Sequence, residues 1–363
     1  MALKTTRGDA GGPEKGRGAP SNLEGRFEQW LRESVDDGWA REEAEPRRLD
    51  TVVAPEKAKS IITRNDSPDI PFDQSINPYR GCEHGCPYCY ARPAHAYVGL
   101  SPGLDFETRI FYKADAASLL TRELAAPGYR CSPIALGANT DPYQPAEREL
   151  RVTRSILEVL AGCEHPFTIV TKNALVERDL DLIAPMAAKA MARVYLSVTN
   201  LDNELSRRLE PRASAPYRRI EAIRRLAAAG VPVGVLVAPV IPFVTDRFME
   251  AILERAAAAG AASANFIVLR LPHEVAPLMK DWLATHYPLK AEHVMSLVRQ
   301  MRGGKDYDAS FATRQRGTGE FAALLRKRFE LACRRLGLAH GEREPLDTTR
   351  FRPPRSGPQL ALF

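Results

Sequence analysis

The stretch Asn77-Pro78-Tyr79-Arg80-Gly81-Cys82-Glu83-His84-Gly85-Cys86-Pro87-Tyr88-Cys89-Tyr90 sets three cysteines within eight residues, while Cys131, Cys163 and Cys333 are scattered. Three thiolates this close cannot all pair as disulfides, yet they can converge on one metal group. Structural zinc takes four ligands, and His84 could be the fourth, although it sits inside the loop that must wrap the metal. Iron–sulfur clusters in electron-transfer proteins also usually take four cysteines. Three cysteines leave one iron open to a substrate, which is a catalytic arrangement.

Outward from this loop the chain alternates. Apolar runs of strand composition occupy Pro133–Gly137, Phe167–Thr171, Val194–Val198, Val231–Val237 and Phe266–Leu271, with a further strand expected before Cys82. Between them Leu150, Thr153, Ile156, Leu157 and Leu160 share one helical face, and Ile220, Ile223, Leu226 and Ala227 another. Strand–helix alternation at this spacing predicts parallel strands with crossover helices, an α/β fold of about six units. Six is too few for the eight-unit barrel, leaving an incomplete barrel or an open doubly wound sheet. In both, chemistry collects at the carboxyl ends of the strands. Those ends read Asn139-Thr140-Asp141-Pro142-Tyr143-Gln144, Thr171-Lys172-Asn173 and Ser197-Val198-Thr199-Asn200, three polar clusters that suggest one shared site.

The C-x3-C-x2-C motif, with Tyr88 before its last cysteine and a strand ahead of it, resembles the radical S-adenosylmethionine superfamily. That resemblance implies an incomplete (β/α)6 TIM-type barrel and a 4Fe-4S cluster on Cys82, Cys86 and Cys89. It further implies S-adenosylmethionine on the open iron, its cleavage to a 5′-deoxyadenosyl radical, and an electron donor such as flavodoxin or ferredoxin. The segments Asn77–Cys82, Cys89–Arg92, Thr140–Gln144, Thr171-Lys172 and Ser197–Thr199 are similar to the DNA-repair-photolyase-like branch related to spore photoproduct lyase. By that similarity Tyr88 and Tyr90 flank the cofactor, and Lys172 and Ser197 hold its carboxylate end. Gly137, Asn139 and Thr140 lie where many relatives bind the cofactor amine. Asn139 stands where the lyase has its hydrogen-donating cysteine, so the same donor is not expected here.

The ends of the chain carry separate signals. Residues 1–68 read as a flexible, irregular extension with one docking helix around Leu23, Phe27, Trp30 and Leu31; residues 69–288 form the barrel. Residues 289–345 read as a helical basic extension, and from Arg299 onward 14 Lys and Arg face 7 Asp and Glu, which accounts for the net charge of +6. A basic end on a near-neutral body suits a polyanion such as DNA. Arg314 and Arg316, in a glycine loop opening a helix, are the expected phosphate contacts. Residues 346–363 read as a flexible, proline-rich tail. Its last residues, Gln359-Leu360-Ala361-Leu362-Phe363, resemble the pentapeptide by which bacterial proteins grip the DNA sliding clamp, with Gln359, Leu360, Leu362 and Phe363 as the contacts.

The longest uncharged run, Leu226 to Thr245, holds three prolines and two glycines and so is not one membrane-spanning helix. With no charged-then-apolar opening segment, the chain is expected to be cytoplasmic. These signals together lead to an enzyme of DNA repair or nucleotide lesion processing. Radical modification of protein or tRNA, or a non-catalytic iron–sulfur accessory role at the replisome, are the alternatives.

Overall fold

The computed structural model describes residues 16–27, 49–341 and 344–354. Ten strands are present among them: β1 (Val52–Pro55), β2 (Ile62–Arg64), β3 (Gln74–Ile76), β4 (Tyr79–Arg80), β5 (Arg109–Tyr112), β6 (Ile134–Leu136), β7 (Phe167–Thr171), β8 (Ala192–Ser197), β9 (Val233–Val240) and β10 (Ser263–Val268). The main sheet has the order β10-β9-β8-β7-β6-β3-β2, and every pair from β3 to β10 is parallel. Spatial order therefore follows chain order without reversal. A doubly wound sheet needs a reversal, so of the two folds left open this order is consistent with the winding of a six-unit partial barrel. β2 adds antiparallel to the β3 edge, and β1, β5 and β4 form a separate small sheet beside it.

The crossovers are helices at Ala116–Leu124, Val152–Gly162, Leu180–Ala187, Pro216–Ala228 and Met249–Ala258. Each buries the stripe its sequence spacing dictates. In the second, Val152, Thr153, Ile156, Leu157 and Leu160 are buried; in the fourth, Ile220, Ile223 and Leu226 are. They cover strands whose own side chains alternate, as in β7, where Phe167, Ile169 and Thr171 point into the packed layer.

The β10 edge is not open. Ala264 N–H donates to Ala339 O (2.9 Å), Ala339 N–H to Ala262 O (3.0 Å) and Val268 N–H to Gln315 O (3.0 Å), so C-terminal segments satisfy backbone groups that an edge strand would leave bare. Gln315 Nε2 then donates to Asp69 O (2.8 Å), and Arg314 grips the Asp69 carboxylate at 2.6 Å with both Nε and Nη2. Residues 314–315 thus span the gap between β10 and the loop after β2, where a full barrel would close. The expectation of Arg314 as a free phosphate contact is corrected accordingly, since its fork already has a carboxylate partner; Arg316 remains exposed.

Two further expectations change. The region before residue 69 is not uniformly irregular: it supplies β1 and β2, and residues 16–27 run without helix over the cysteine loop. Trp30 and Leu31, part of the expected docking helix, lie outside the described residues. The tail is docked as far as its described part reaches. Asp347 N–H donates to Ala190 O (3.0 Å) and Arg352 N–H to Cys163 O (2.9 Å), while Phe351 packs against Tyr129 and His165. Gln359, Leu360, Leu362 and Phe363 lie outside the described residues. No described helix is long and apolar enough to cross a membrane.

Candidate cluster and cofactor site

The cysteine loop leaves β4 at Gly81 and is folded by short backbone bonds. Cys82 N–H donates to Phe106 O (2.9 Å), Cys89 N–H to Cys86 O (3.2 Å) and Arg92 N–H to Cys89 O (3.2 Å). Fully buried Arg92 reinforces the turn from within, donating to Cys86 O (2.8 Å), Pro102 O (2.9 Å) and Gly103 O (2.8 Å) and pairing with Glu107. The Glu107 carboxylate also accepts the N–H groups of Gly18 (3.0 Å) and Ala19 (2.8 Å). A Cβ at residue 18 would stand 1.6 Å from Gly85 O, so only glycine lets the N-terminal strap lie this close to the cysteine loop. Neither the strap nor Arg92–Glu107 was read from sequence, because the partners lie about ninety positions apart in the first case and carry no periodic signal in the second.

The turn after β6 fastens the loop from the other side. Gln144 accepts from Glu83 N–H (2.9 Å) and donates to Gly81 O (3.2 Å); Thr140 donates to Tyr79 O (2.9 Å). Asp141 accepts from Thr171 Oγ1 (2.7 Å) and Lys172 N–H (2.7 Å) and faces His84 Nδ1 at 3.4 Å. His84, left open as a fourth zinc ligand, therefore turns toward Asp141 and Asn173 and docks the loop instead. Gly137 has φ +92° and its added Cβ would meet Val170 O at 2.2 Å, so β6 can end beside β7 only with glycine there. Asn139 is exposed at this rim, its N–H held by Asn77 Oδ1 at 2.8 Å.

All three loop cysteines are free thiols, Cys82 and Cys86 buried and Cys89 partly so. Burial first, then the Asp141 charge and the neighbouring thiols, raises Cys82 well above the ordinary range; burial and the Glu210 carboxylate push Cys86 up to about 12 against the Lys172 charge; burial raises Cys89. Without a metal these sulfurs are protonated at neutral pH, and a metal group that binds them must displace the protons. Among the described residues no three His, Cys, Asp or Glu side chains converge on a single ion. Three neighbouring thiols on one buried loop fit a cluster, in which each would take a different iron.

Beyond the thiols the expected cofactor residues come together. Lys172, just past β7, donates from Nζ to Oγ of Ser197, the last residue of β8, at 2.8 Å, and Ser197 Oγ donates to Ala238 O at 3.0 Å. Lys172 Nζ lies 5.9 Å from the Tyr88 ring centroid. An ammonium beside a hydroxyl is a fitting seat for a carboxylate. Tyr90, 43% exposed, bonds through its hydroxyl to Ala138 O and so bridges the cysteine loop to the β6 turn.

Glu210 is the residue that sequence reasoning missed. It is 1% exposed, accepts from Tyr88 and from Thr199 Oγ1 (2.6 Å), pairs with buried Arg219 (2.5 Å) and lies 4.0 Å from Lys172 Nζ. Burial alone would raise its pKa, but Arg219, Lys172 and the two hydroxyls hold it down to about 2. It is the anion that keeps Lys172 and Tyr88 facing each other. Cys131 and Cys163 sit before β6 and β7, and Cys333 in the helix Gly319–Leu336, all away from this site.

A buried three-thiol loop followed by an ammonium–hydroxyl pair, at the carboxyl end of a six-unit barrel, defines a cluster-and-cofactor class of site. The family model "Radical SAM superfamily" matches residues 76–256. An uncharacterized protein of Mycobacterium tuberculosis (strain ATCC 25618 / H37Rv) is 38% identical over 233 residues, covering 64% of this chain and 68% of that one. One from Methanocaldococcus jannaschii is 27% identical over 190 residues, covering 52% and 68%. The fold is shared with spore photoproduct lyase: its complex with dinucleoside spore photoproduct aligns with a TM-score of 0.52 at 17% identity, covering 79% of this chain and 80% of that one. A lyase variant with bound AdoMet and the same dinucleoside gives 0.51 over 83% and 86%. The chain belongs to the radical SAM superfamily. It is an enzyme of that superfamily, whose members use a 4Fe-4S cluster and S-adenosylmethionine.

Proposed function

We propose that this enzyme acts on a nucleotide of DNA, in lesion repair or nucleotide processing, with an external electron donor. The observation that carries the reading is the alignment of 79% of the chain with a lyase structure whose ligand is a dinucleoside lesion. Cys82, Cys86 and Cys89 would hold the cluster, with Lys172 and Ser197 at the carboxylate of S-adenosylmethionine and Tyr88 and Tyr90 on its flanks. When bound and reduced, that pair of cofactors supplies a carbon-centred radical that abstracts hydrogen. The chain's own part is to hold the cofactor against the strand ends and to keep water from the thiol loop, which the strap at Arg17–Ala19 covers. With Asn139 at the rim and the other thiols elsewhere in the fold, no described cysteine outside the cluster loop offers a hydrogen atom at the mouth.

The deciding experiment is anaerobic reconstitution followed by a screen of damaged oligonucleotides, reading lesion loss and 5′-deoxyadenosine together. Turnover of tRNA or peptide with no damaged oligonucleotide consumed would overturn the DNA reading. The tail reading is tested apart from it: a synthetic Gln359–Phe363 peptide should bind purified sliding clamp, and absence of binding at high micromolar peptide removes the clamp as a partner.

A further inference from the structure

Arg270 lies two residues past β10, at a carboxyl strand end like Lys172 and Ser197, with β9 between β10 and the β8 strand that carries Ser197. Its guanidinium carbon is 5.0 Å from the Tyr90 ring centroid. Among the described residues no hydrogen bond or ion pair holds it, and its Nε is buried without a partner. Behind it stands Arg302, 2% exposed, which donates only to two backbone carbonyls, Thr313 O (2.9 Å) and Leu269 O (2.8 Å), and whose Nε is likewise unpartnered. Burial first, and then the facing Arg270 charge, holds Arg302 down to about 10. The nearby acid, Asp308, is taken by Thr313 Oγ1 and by Ser310 N–H (3.0 Å). Arg302 thus bonds the carbonyl of the residue before Arg270, and among the described residues neither arginine has a carboxylate partner. Like charges so placed are unfavourable until an anion joins them.

We propose that Arg270, backed by Arg302, receives a phosphodiester of the substrate strand and so fixes the reacting nucleotide beside Tyr90. The proposal rests on the DNA reading above. A planar fork suits a phosphate, and the Tyr90 ring beneath the guanidinium steadies it at the rim. On the reading above the cofactor carboxylate would sit at Lys172 and Ser197, so it does not require Arg270.

The test uses the full chain with its cluster reconstituted, comparing wild type, Arg270→Gln and Arg270→Lys by fluorescence anisotropy with a labelled single-stranded thymidine dodecamer over a range of salt. Iron content reports that each variant is folded around its cluster. Loss of one charge-assisted contact should weaken binding by Arg270→Gln at least about tenfold. It should also lower the salt slope by about 0.7, the value for one phosphate on a single strand. Arg270→Lys should restore the slope while recovering only part of the affinity. Equal affinity and slope in wild type and Arg270→Gln would overturn the proposal and leave the DNA reading standing. Loss of S-adenosylmethionine affinity in both variants, with DNA binding intact, would also overturn it by assigning Arg270 to the cofactor. If the wild type does not bind this undamaged strand, the DNA reading is left to the lesion screen above. Inorganic phosphate then decides the anion site: a rise in melting temperature seen in wild type and absent in Arg270→Gln upholds it, and no rise in either overturns it.

Discussion

Replacing Glu210 by Gln tests whether the buried carboxylate organises the cofactor side of the site. The substitution keeps size and most hydrogen-bonding capacity but leaves Arg219, fully buried, without its counter-charge, and Lys172 with one fewer anion nearby. A folded pKa of about 2 against an ordinary 4.5 corresponds to about 3 kcal/mol of stability. The cost of removing one partner of a buried pair falls in the same range, about 3–5 kcal/mol. Because the folded pKa is depressed, this contribution is fully present above pH 4.5 and is lost as pH falls through 2. Urea unfolding of both proteins, with the cluster removed from each by chelation so that it drops out of the comparison, should show wild type ahead by about 3 kcal/mol at pH 7. The gap should shrink to less than half by pH 3. A difference below about 1 kcal/mol at pH 7, or one undiminished at pH 3, would refute the assignment of Glu210 as the anion holding Arg219 and Lys172.

Reconstituted protein should hold about four irons per chain; Ala at Cys82, Cys86 or Cys89 should abolish iron binding and 5′-deoxyadenosine release, whereas Ala at Cys131, Cys163 or Cys333 should leave iron analysis unchanged. Lys172→Ala should keep its iron and bind S-adenosylmethionine at least about tenfold more weakly in equilibrium titration, the loss expected for one charge-assisted hydrogen bond. Gly18→Ala forces the strap off Gly85 O and should lower stability by about 1–3 kcal/mol, as overpacking does. The same variant should shorten the lifetime of the cluster's visible absorbance in air, and an unchanged lifetime would show that the strap does not shield the loop.

The parts of the fold written in local pattern were legible. β7 occupies Phe167–Thr171 as its apolar run predicts, and the buried stripe of Val152–Gly162 follows its helical spacing. β10 is different: it begins at Ser263 and stops at Val268, while Leu269 and Leu271 continue the apolar run as buried loop residues in a second core with Trp282 and Val294. Periodicity cannot separate a strand from a buried loop that follows it. That the cysteine loop, Lys172 and Ser197 gather at one end of the sheet was legible, because polar clusters at the carboxyl ends of parallel strands share one side of the fold. Glu210, Arg219, Arg92 and Glu107 were not, since a buried ion pair joins two positions, here nine and fifteen residues apart, that no helical or strand period links, and neither member is unusual alone. Arg314 misled for the same reason: its charge suggested a free phosphate contact, and its partner Asp69 lies 245 residues away.

The docked end of the chain sets an orientation. Ala190 and Cys163, which receive Asp347 and Arg352, lie just before β8 and β7, so the last described residue, Pro354, leaves from the amino-terminal face of the barrel. The docked end is therefore fastened to the floor of the barrel, on the face opposite the strand ends where Lys172 and Ser197 stand, and leaves that mouth clear.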